Sequence, residues 1–450
     1  MSVSGGGASA PVRPVTANSE SLSRDSVEIL SGTKNEPDWM LRKRLEAFDA
    51  FGRMPLPDRN DEQWRQTDIR ALKPAELSLA TKASTGGVQS PLGLEAGTYG
   101  GHVFQVNMDT VDVSLSDHLR ESGVVLSSLD TTLKTHPELV RELFMTRCVP
   151  AESGKFAALN GAFWSGGVFI HIPRGVEVVL PLRALYGLSA AGSASFAHTI
   201  INLEEGAKLT YIEEYASPKL AHATLSSGVV EMFIGQEAKL TLVTLQEYLG
   251  QVFDINTQRA LLGRDATLDW LVIGMGSGTT KSNIDVAMQG QGSKTQMLGI
   301  LWGYGPAHTN YQTLQDHQAP NCTSDLLYKA ALTDDAVSVF SGRIRVEKGA
   351  QRTDSYQANR TVILSDHAAA FPSPNLEIEA NDVRCTHGAS VGKVDAEQLF
   401  YLMSRGLPLD LAAKMIVEGF FEEVLAREPG AAIRDNLREL IRRKIEEQTQ

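Results

Sequence analysis

The chain has 450 residues, a formal net charge of −12 and three cysteines, a length that suits two or three regions or one elongated solenoid better than a single compact core. Its 54 acidic residues against 42 Lys and Arg exclude nucleic acid as the main partner, since phosphate binding needs clustered cations, and fit a soluble cytoplasmic protein. Cys148, Cys322 and Cys385 are too few and too scattered for a disulfide framework, as expected in a reducing compartment, and no run of about 18 apolar residues marks a membrane span.

Residues 1–35 are rich in Gly, Ser, Ala and Thr, a composition expected of a disordered tail. They hold no apolar signal core, and Glu20, Asp25 and Glu28 argue against an organellar transit peptide. From residue 36 to about 79 the spacing of Trp39, Met40, Leu41, Leu45, Phe48 and Phe51 predicts helix, broken by Pro55 and Pro57 before the Trp64 segment. A mixed connector then runs to about Cys148.

Between residues 156 and 387 the character changes to short alternating runs rich in Val, Ile, Thr and Tyr, punctuated by Gly, Asp and Ala. Ala207-Lys208-Leu209-Thr210-Tyr211 is echoed at Ala238-Lys239-Leu240-Thr241-Leu242, at Ala266-Thr267-Leu268-Asp269-Trp270 and at Ser293-Lys294-Thr295-Gln296-Met297. The steps lie in the range of stacked repeats, and units that bury a face only against their neighbours describe a β-solenoid. A β-sandwich would not require echoing turns. Within this region, residues 274–282 superficially resemble a phosphate-binding loop. Met275 and Thr280 stand where that loop needs glycine, and the alternating stretch that follows reads as strand, so no helix dipole would meet a phosphate.

After Gly392 the pattern is helical. Asp395 is expected to cap a helix through Leu399, Phe400, Leu402 and Met403, with Gly406 as its left-handed end. Asp410 is expected to cap a second, with Leu411, Met415, Ile416, Gly419, Phe420 and Val424 along one face, ended by Pro429-Gly430. Ile433, Leu437, Leu440, Ile441 and Ile445 stripe a third. Such stripes are ordinarily core packing; a docking face is the functional reading.

The chemistry concentrates at Cys385 and His387. If residues 376–387 form a strand, both side chains leave it on the same face. Thiolate and imidazole together suit iron, zinc or copper, and soft sulfur favours iron–sulfur chemistry. Two ligands do not complete a site, so the pair reads as a half-site finished by another chain. An isolated cysteine is more often a small core residue, which is how Cys148 and Cys322 are read. Glu377 and Glu379 are expected on the solvated face of the strand, His317 in loop packing, and His171, His198, His222 and His308 without usable spacing.

The segment Leu376-Glu377-Ile378-Glu379-Ala380-Asn381-Asp382-Val383-Arg384-Cys385-Thr386-His387-Gly388-Ala389-Ser390-Val391-Gly392 resembles the C-terminal signature of the SufD family, scaffold subunits of the SUF iron–sulfur cluster assembly machinery. It departs conservatively at Asn381, Arg384, Thr386 and Ser390, and the related SufB proteins usually carry Glu where Gly388 stands. Further similarities follow in order: Glu62-Gln63-Trp64-Arg65-Gln66-Thr67, Lys155-Phe156-Ala157-Ala158-Leu159-Asn160, residues 167–175, His317-Gln318-Ala319-Pro320, Leu327-Tyr328-Lys329 and residues 353–360. The resemblance covers about residues 56–425.

It implies a mainly β fold, a right-handed parallel β-helix core flanked by N-terminal and C-terminal α-helical regions. The corresponding division is a tail (1–35), an N-terminal helical region and connector (36–148), the β-helix (149–392) and a C-terminal helical domain (393–450) that docks the SufC ATPase. The implied role is that of a non-catalytic scaffold. It would pair with a SufB-like subunit so that a transient Fe–S cluster, or iron, is held at their interface by His387 and, with less weight, Cys385. No permanently bound cofactor, nucleic acid or membrane is implied. Two other readings remain: a SufB-like scaffold that pairs with itself, and a β-helix carbohydrate-active enzyme, for which no pair of carboxylates facing a cleft stands out.

Overall fold

Lys208, Lys239, Thr267 and Lys294, each second in its echoing segment, face one another in register across neighbouring parallel strands, and the ladder continues through Thr323, Asp354 and Arg384. The computed structural model describes residues 22–80, 86–95, 97–427 and 431–447. Over these the chain winds as a parallel β-solenoid of about eight turns with helices at both ends. Its walls are two sheets, of 12 and 10 strands among the described residues.

In-register stacking sets like on like. Tyr211, Leu242, Trp270, Met297 and Leu326 form one inward ladder, and all five are buried. No single turn could bury such a face alone. The corners repeat as well. Two places before six successive strands of the ten-stranded wall stands a residue in the left-handed region: Gly206, Glu237, Asp265, Gly292, Asn321 and Arg352, with φ between 54° and 76°. A small buried residue follows each of them, namely Ala207, Ala238, Ala266, Ser293, Cys322 and Thr353. Cys322 therefore fills a slot sized for alanine or serine, which accounts for it structurally.

The N-terminal end of the solenoid is closed by antiparallel strands. Asp109–Leu115 lies against Gly101–Val106, and Val125–Ser128 against Val168–Ile172. Gly101–Val106 itself pairs parallel with Leu182–Gly187, so the stretch expected as a connector supplies wall strands, and residue 149 is not where the solenoid begins. The expected tail is also shorter than composition suggests. Arg24–Lys34 is a helix whose cap, Ser23, forms a reciprocal box with Ser26 while Val27 is buried; residues 1–21 of that expectation lie outside the described residues. The following helix covers Asp38–Arg53 only. Beyond Pro55 and Pro57 the chain becomes an irregular strap, pinned by Trp64 against Phe156 (ring centroids 5.8 Å apart) and by Asn310 Nδ2 donating to Thr67 Oγ1 at 2.7 Å.

Three helices follow the solenoid: Ala396–Ser404, Leu409–Leu425 and Ala431–Glu447. Asp395 caps the first, accepting from the backbone N–H groups of Glu397 and Gln398, and Gly406 ends it with φ 92°. The expected cap at Asp410 is not formed. Pro408 holds that position and Asp410 sits in the first turn, where its charge still complements the helix dipole. The expected stop at Pro429-Gly430 lies outside the described residues. Val417, Phe421, Val424 and the stripe from Ile433 to Ile445 pack on the outer face of the ten-stranded wall, against Val243, Leu271, Ile300 and Leu327. Lys329 fastens the contact, donating to the Phe420 carbonyl at 2.7 Å and pairing with Glu423 at 2.5 Å.

The interior is not uniformly apolar. Glu213 is fully buried and accepts from Thr199, Tyr211 and Tyr215 hydroxyls at 3.0–3.1 Å, yet burial pushes its carboxyl up to about 7. An unfolded glutamate titrates near pH ~4.3. Between those values the folded state holds a proton that the unfolded state has released, so this group's contribution to stability is lost as pH rises through the window. Glu213→Gln is expected to flatten the decline: the fall in urea midpoint between pH 5 and pH 8 should be smaller in the variant than in the wild type.

Candidate functional site

Cys385 and His387 lie on Arg384–Lys393, the last strand of the ten-stranded wall. Residues 376–387 are not one strand, as expected from the sequence. Ala369–Ile378 belongs to the other wall, and a corner at 379–383 separates the two. The shared face survives this correction because both ligand candidates fall within the second strand, about 7 Å apart along it.

Register gives that face its meaning. Cys385 continues the ladder Leu240, Leu268, Thr295, Ser324, Ser355, and His387 the ladder Leu242, Trp270, Met297, Leu326, Gln357. Every earlier member is buried in the interior. Both side chains thus hold inward positions in a turn that no further strand covers among the described residues. Cys385 is half-buried against Ile344, Val346 and Ala380, while His387 is exposed. Leu376 and Ile378, at the matching positions of the opposite wall, are 37% and 40% exposed although the residues beneath them, Ile344 and Val346, are fully buried.

Burial, and then the Asp354 carboxylate, push the Cys385 thiol up, partly countered by a hydrogen bond from the Ser355 backbone. Arg384 pairs with Asp354 on the rung below (Nε to Oδ1 3.1 Å) and fixes the start of the strand. Among the described residues no group of three or more His, Cys, Asp or Glu side chains could hold a metal ion. Thiol and imidazole therefore stand as two candidate donors at inward positions of the uncovered last turn.

Under this rung lies a polar layer that spacing alone did not reveal. Ser355 Oγ is 2.6 Å from Ser324 Oγ, which is 2.9 Å from His317 Nε2. His317 is thus an interior residue at the end of a strand, not a loop residue, and burial holds its imidazole down to about 4. The signal was present in the inward ladders, which change from Leu to Thr and Ser toward the C-terminal end. Glu377 is exposed near Arg343 (3.7 Å), as its alternation implied. Cys148 is buried, its thiol donating to the Arg259 carbonyl at 3.1 Å. His198 is locked between Asn160 and Glu231 at 2.8 and 3.0 Å, and Glu231 also accepts the backbone N–H groups of Met145 and Val149. That constellation is a structural clamp.

A second exposed apolar surface lies on the C-terminal helices. Phe400 (73% exposed), Tyr401, Met403, Leu409, Leu411 and Met415 are all exposed. The helix Leu409–Leu425 therefore carries apolar residues on two faces, one of which the wall covers. No helix of the described residues is long and apolar enough to cross a membrane.

The family description "SUF system FeS cluster assembly, SufBD core domain" matches residues 186–420, and "SufBD protein N-terminal region" matches residues 24–184. Iron–sulfur cluster assembly SufBD family proteins of Staphylococcus saprophyticus, Staphylococcus epidermidis and Staphylococcus aureus are each 30% identical over 417 residues, covering 89% of this chain and 88% of the relative.

With Cys148 and Cys322 buried, the native chain is expected to react with iodoacetamide at Cys385 alone. The raised thiol should make that reaction slow at neutral pH and faster as pH increases. Peptide mapping after alkylation checks this, and Cys385→Ala should leave the folded chain unlabelled.

Proposed function

The chain belongs to the SufBD family of SUF-system iron–sulfur cluster assembly proteins, and from that premise we propose that it is the SufD-type scaffold, whose open end pairs with a SufB-like subunit around a nascent cluster. The observation that carries the reading is the uncovered last turn, with a thiol and an imidazole at inward positions and no third ligand among the described residues. A partner strand added along Arg384–Lys393 would cover this turn and enclose both donors. Iron and sulfide are the cargo. His387 offers a neutral nitrogen and Cys385 a sulfur whose proton must leave as metal binds. One half-exposed cysteine supplies too little thiolate for a cluster, so further sulfur ligands would come from the partner. That shortage, together with Gly388, favours the SufD-type role over a self-pairing SufB-like scaffold. A polysaccharide-active role has little support: the buried carboxyls Glu213 and Asp254 lie inside the solenoid, where no sugar chain reaches.

The outer apolar face of the C-terminal helices is the proposed seat of the SufC ATPase. Nucleotide-driven pairing of two such ATPases would bind one scaffold conformation better than another, the requirement for any switch of this kind. Since Lys329, Arg360 and Arg427 tie the helical region to the wall through Glu423 and Asp325, displacement of the helices would reach the rungs beneath the open end.

Anaerobic loading of the reconstituted three-component complex with iron, sulfide and ATP tests the site. His387→Ala is expected to lower cluster yield by about tenfold or more with the complex intact by gel filtration. Normal loading would reduce this chain to an architectural partner. For the docking face, Leu411→Glu with Met415→Glu should abolish co-purification of the ATPase and leave the melting temperature of the isolated chain within about 2 °C of wild type. Retained ATPase would move the docking site elsewhere.

A further inference from the structure

The strap formed by residues 55–73 meets two titratable side chains on the 12-stranded wall. Lys281, on the strand Thr279–Met288, is fully buried, with its ammonium 5.4 Å from the centre of the Trp64 ring. It donates to Asn283 Oδ1 at 3.2 Å. Asp61 of the strap and Asp285 of its own strand attract its charge, but neither pairs with it directly. Buried cations are ordinarily paired; here burial outweighs both carboxylates and holds the amine down to about 7. On the neighbouring strand His308–His317, His308 Nε2 is 3.1 Å from Thr67 Oγ1. Asn310 Nδ2 donates to that same oxygen at 2.7 Å, which leaves the Thr67 hydroxyl proton for a neutral imidazole nitrogen to accept. A protonated ring offers no acceptor. Burial lowers the His308 imidazole against the attraction of Asp68, a carboxylate already engaged by Arg59 (3.2 Å) and Arg70 (2.5 Å). Two further holds on the strap are uncharged. Gln312 Nε2 donates to the Gln63 carbonyl at 3.0 Å, and Trp64 packs on Phe156 of the helix Lys155–Phe163.

We propose that residues 55–73 are a pH-sensitive cover, released from the wall as Lys281 and His308 take up protons. With the strap down, both groups bind protons less readily than in water; with it lifted, both regain solvent. The ratio of closed to open chains therefore falls as pH falls. For Lys281 the window runs from the ordinary lysine value of about 10.4 down to about 7. His308 adds to the effect below the ordinary imidazole value of about 6.5. Lifting the strap would bare Lys281 and Asn310, its neighbour in register. The direction is opposite to that of Glu213, which favours the folded chain toward acid, so opening of the strap and unfolding of the solenoid respond to pH with different signs.

Amide hydrogen exchange of the full chain tests the cover, with each rate taken relative to that of an unstructured chain at the same pH. Protection of the strap amides of Trp64, Thr67 and Leu72, each hydrogen-bonded within the strap, is expected to fall about tenfold between about pH 8.5 and pH 7. The strand Lys239–Glu247 should keep its protection over that range. Lys281→Met keeps the bulk of the stem and removes the titrating amine, so the strap's protection should stay constant. Lys281→Arg, charged at every pH used, should show low protection throughout and serves if the first variant does not fold. Protection in the wild type that does not change with pH overturns the proposal. So does a fall that persists undiminished in either variant.

Discussion

A parallel solenoid satisfies each turn with the next one, and at Arg384–Lys393 there is no next turn. The strands of the turns between the two ends find neighbours on both sides and cover the inward side chains of the turn beneath. The last rung leaves two strand edges and a set of inward residues facing water, which for a long edge is a standing invitation to pair. The opposite end is not left this way, since antiparallel strands close both walls there. The two C-terminal edges also differ. Ala369–Ile378 carries Pro372 and Pro374, which lack backbone donors, whereas Arg384–Lys393 has no proline. The edge left free to template a strand is the one that bears Cys385 and His387.

The C-terminal helices express a related economy of surface. Leu409–Leu425 spends one apolar face on the wall and leaves another exposed, an arrangement that makes little sense for an isolated chain and good sense for a subunit. In the proposed role the two unfinished surfaces belong together: one receives an ATPase, the other a sister scaffold, and the rungs between them are rigidly packed.

Much of the fold was legible because the solenoid writes its period into the sequence. The echoes at Lys208, Lys239, Thr267 and Lys294 are the register itself, and the small residue after each left-handed corner marks where each turn begins. What escaped was local or non-repeating. The helix Arg24–Lys34 hides in a Ser- and Gly-rich stretch because its cap is a single Ser23–Ser26 pair. The strands at 101–128 carry no echo, since they close the stack and do not repeat it. The corner at 379–383 was read through because alternating Leu, Glu and Ile run up to it on one side and Cys385 resumes the alternation on the other. The pairing of Cys385 with His387 was legible from period two alone. That both point inward at an uncovered end was not, because only the register of the preceding rungs shows it.

Amide hydrogen exchange on this chain, alone and mixed with a SufB-like subunit, tests the central claim most directly. Strand addition at the open end predicts new protection across Arg384–Lys393, weaker protection across Ala369–Ile378, and little change at Asp109–Leu115. Protection at the N-terminal strands with Arg384–Lys393 unchanged would contradict it, and would leave Cys385 and His387 facing solvent in the assembled complex.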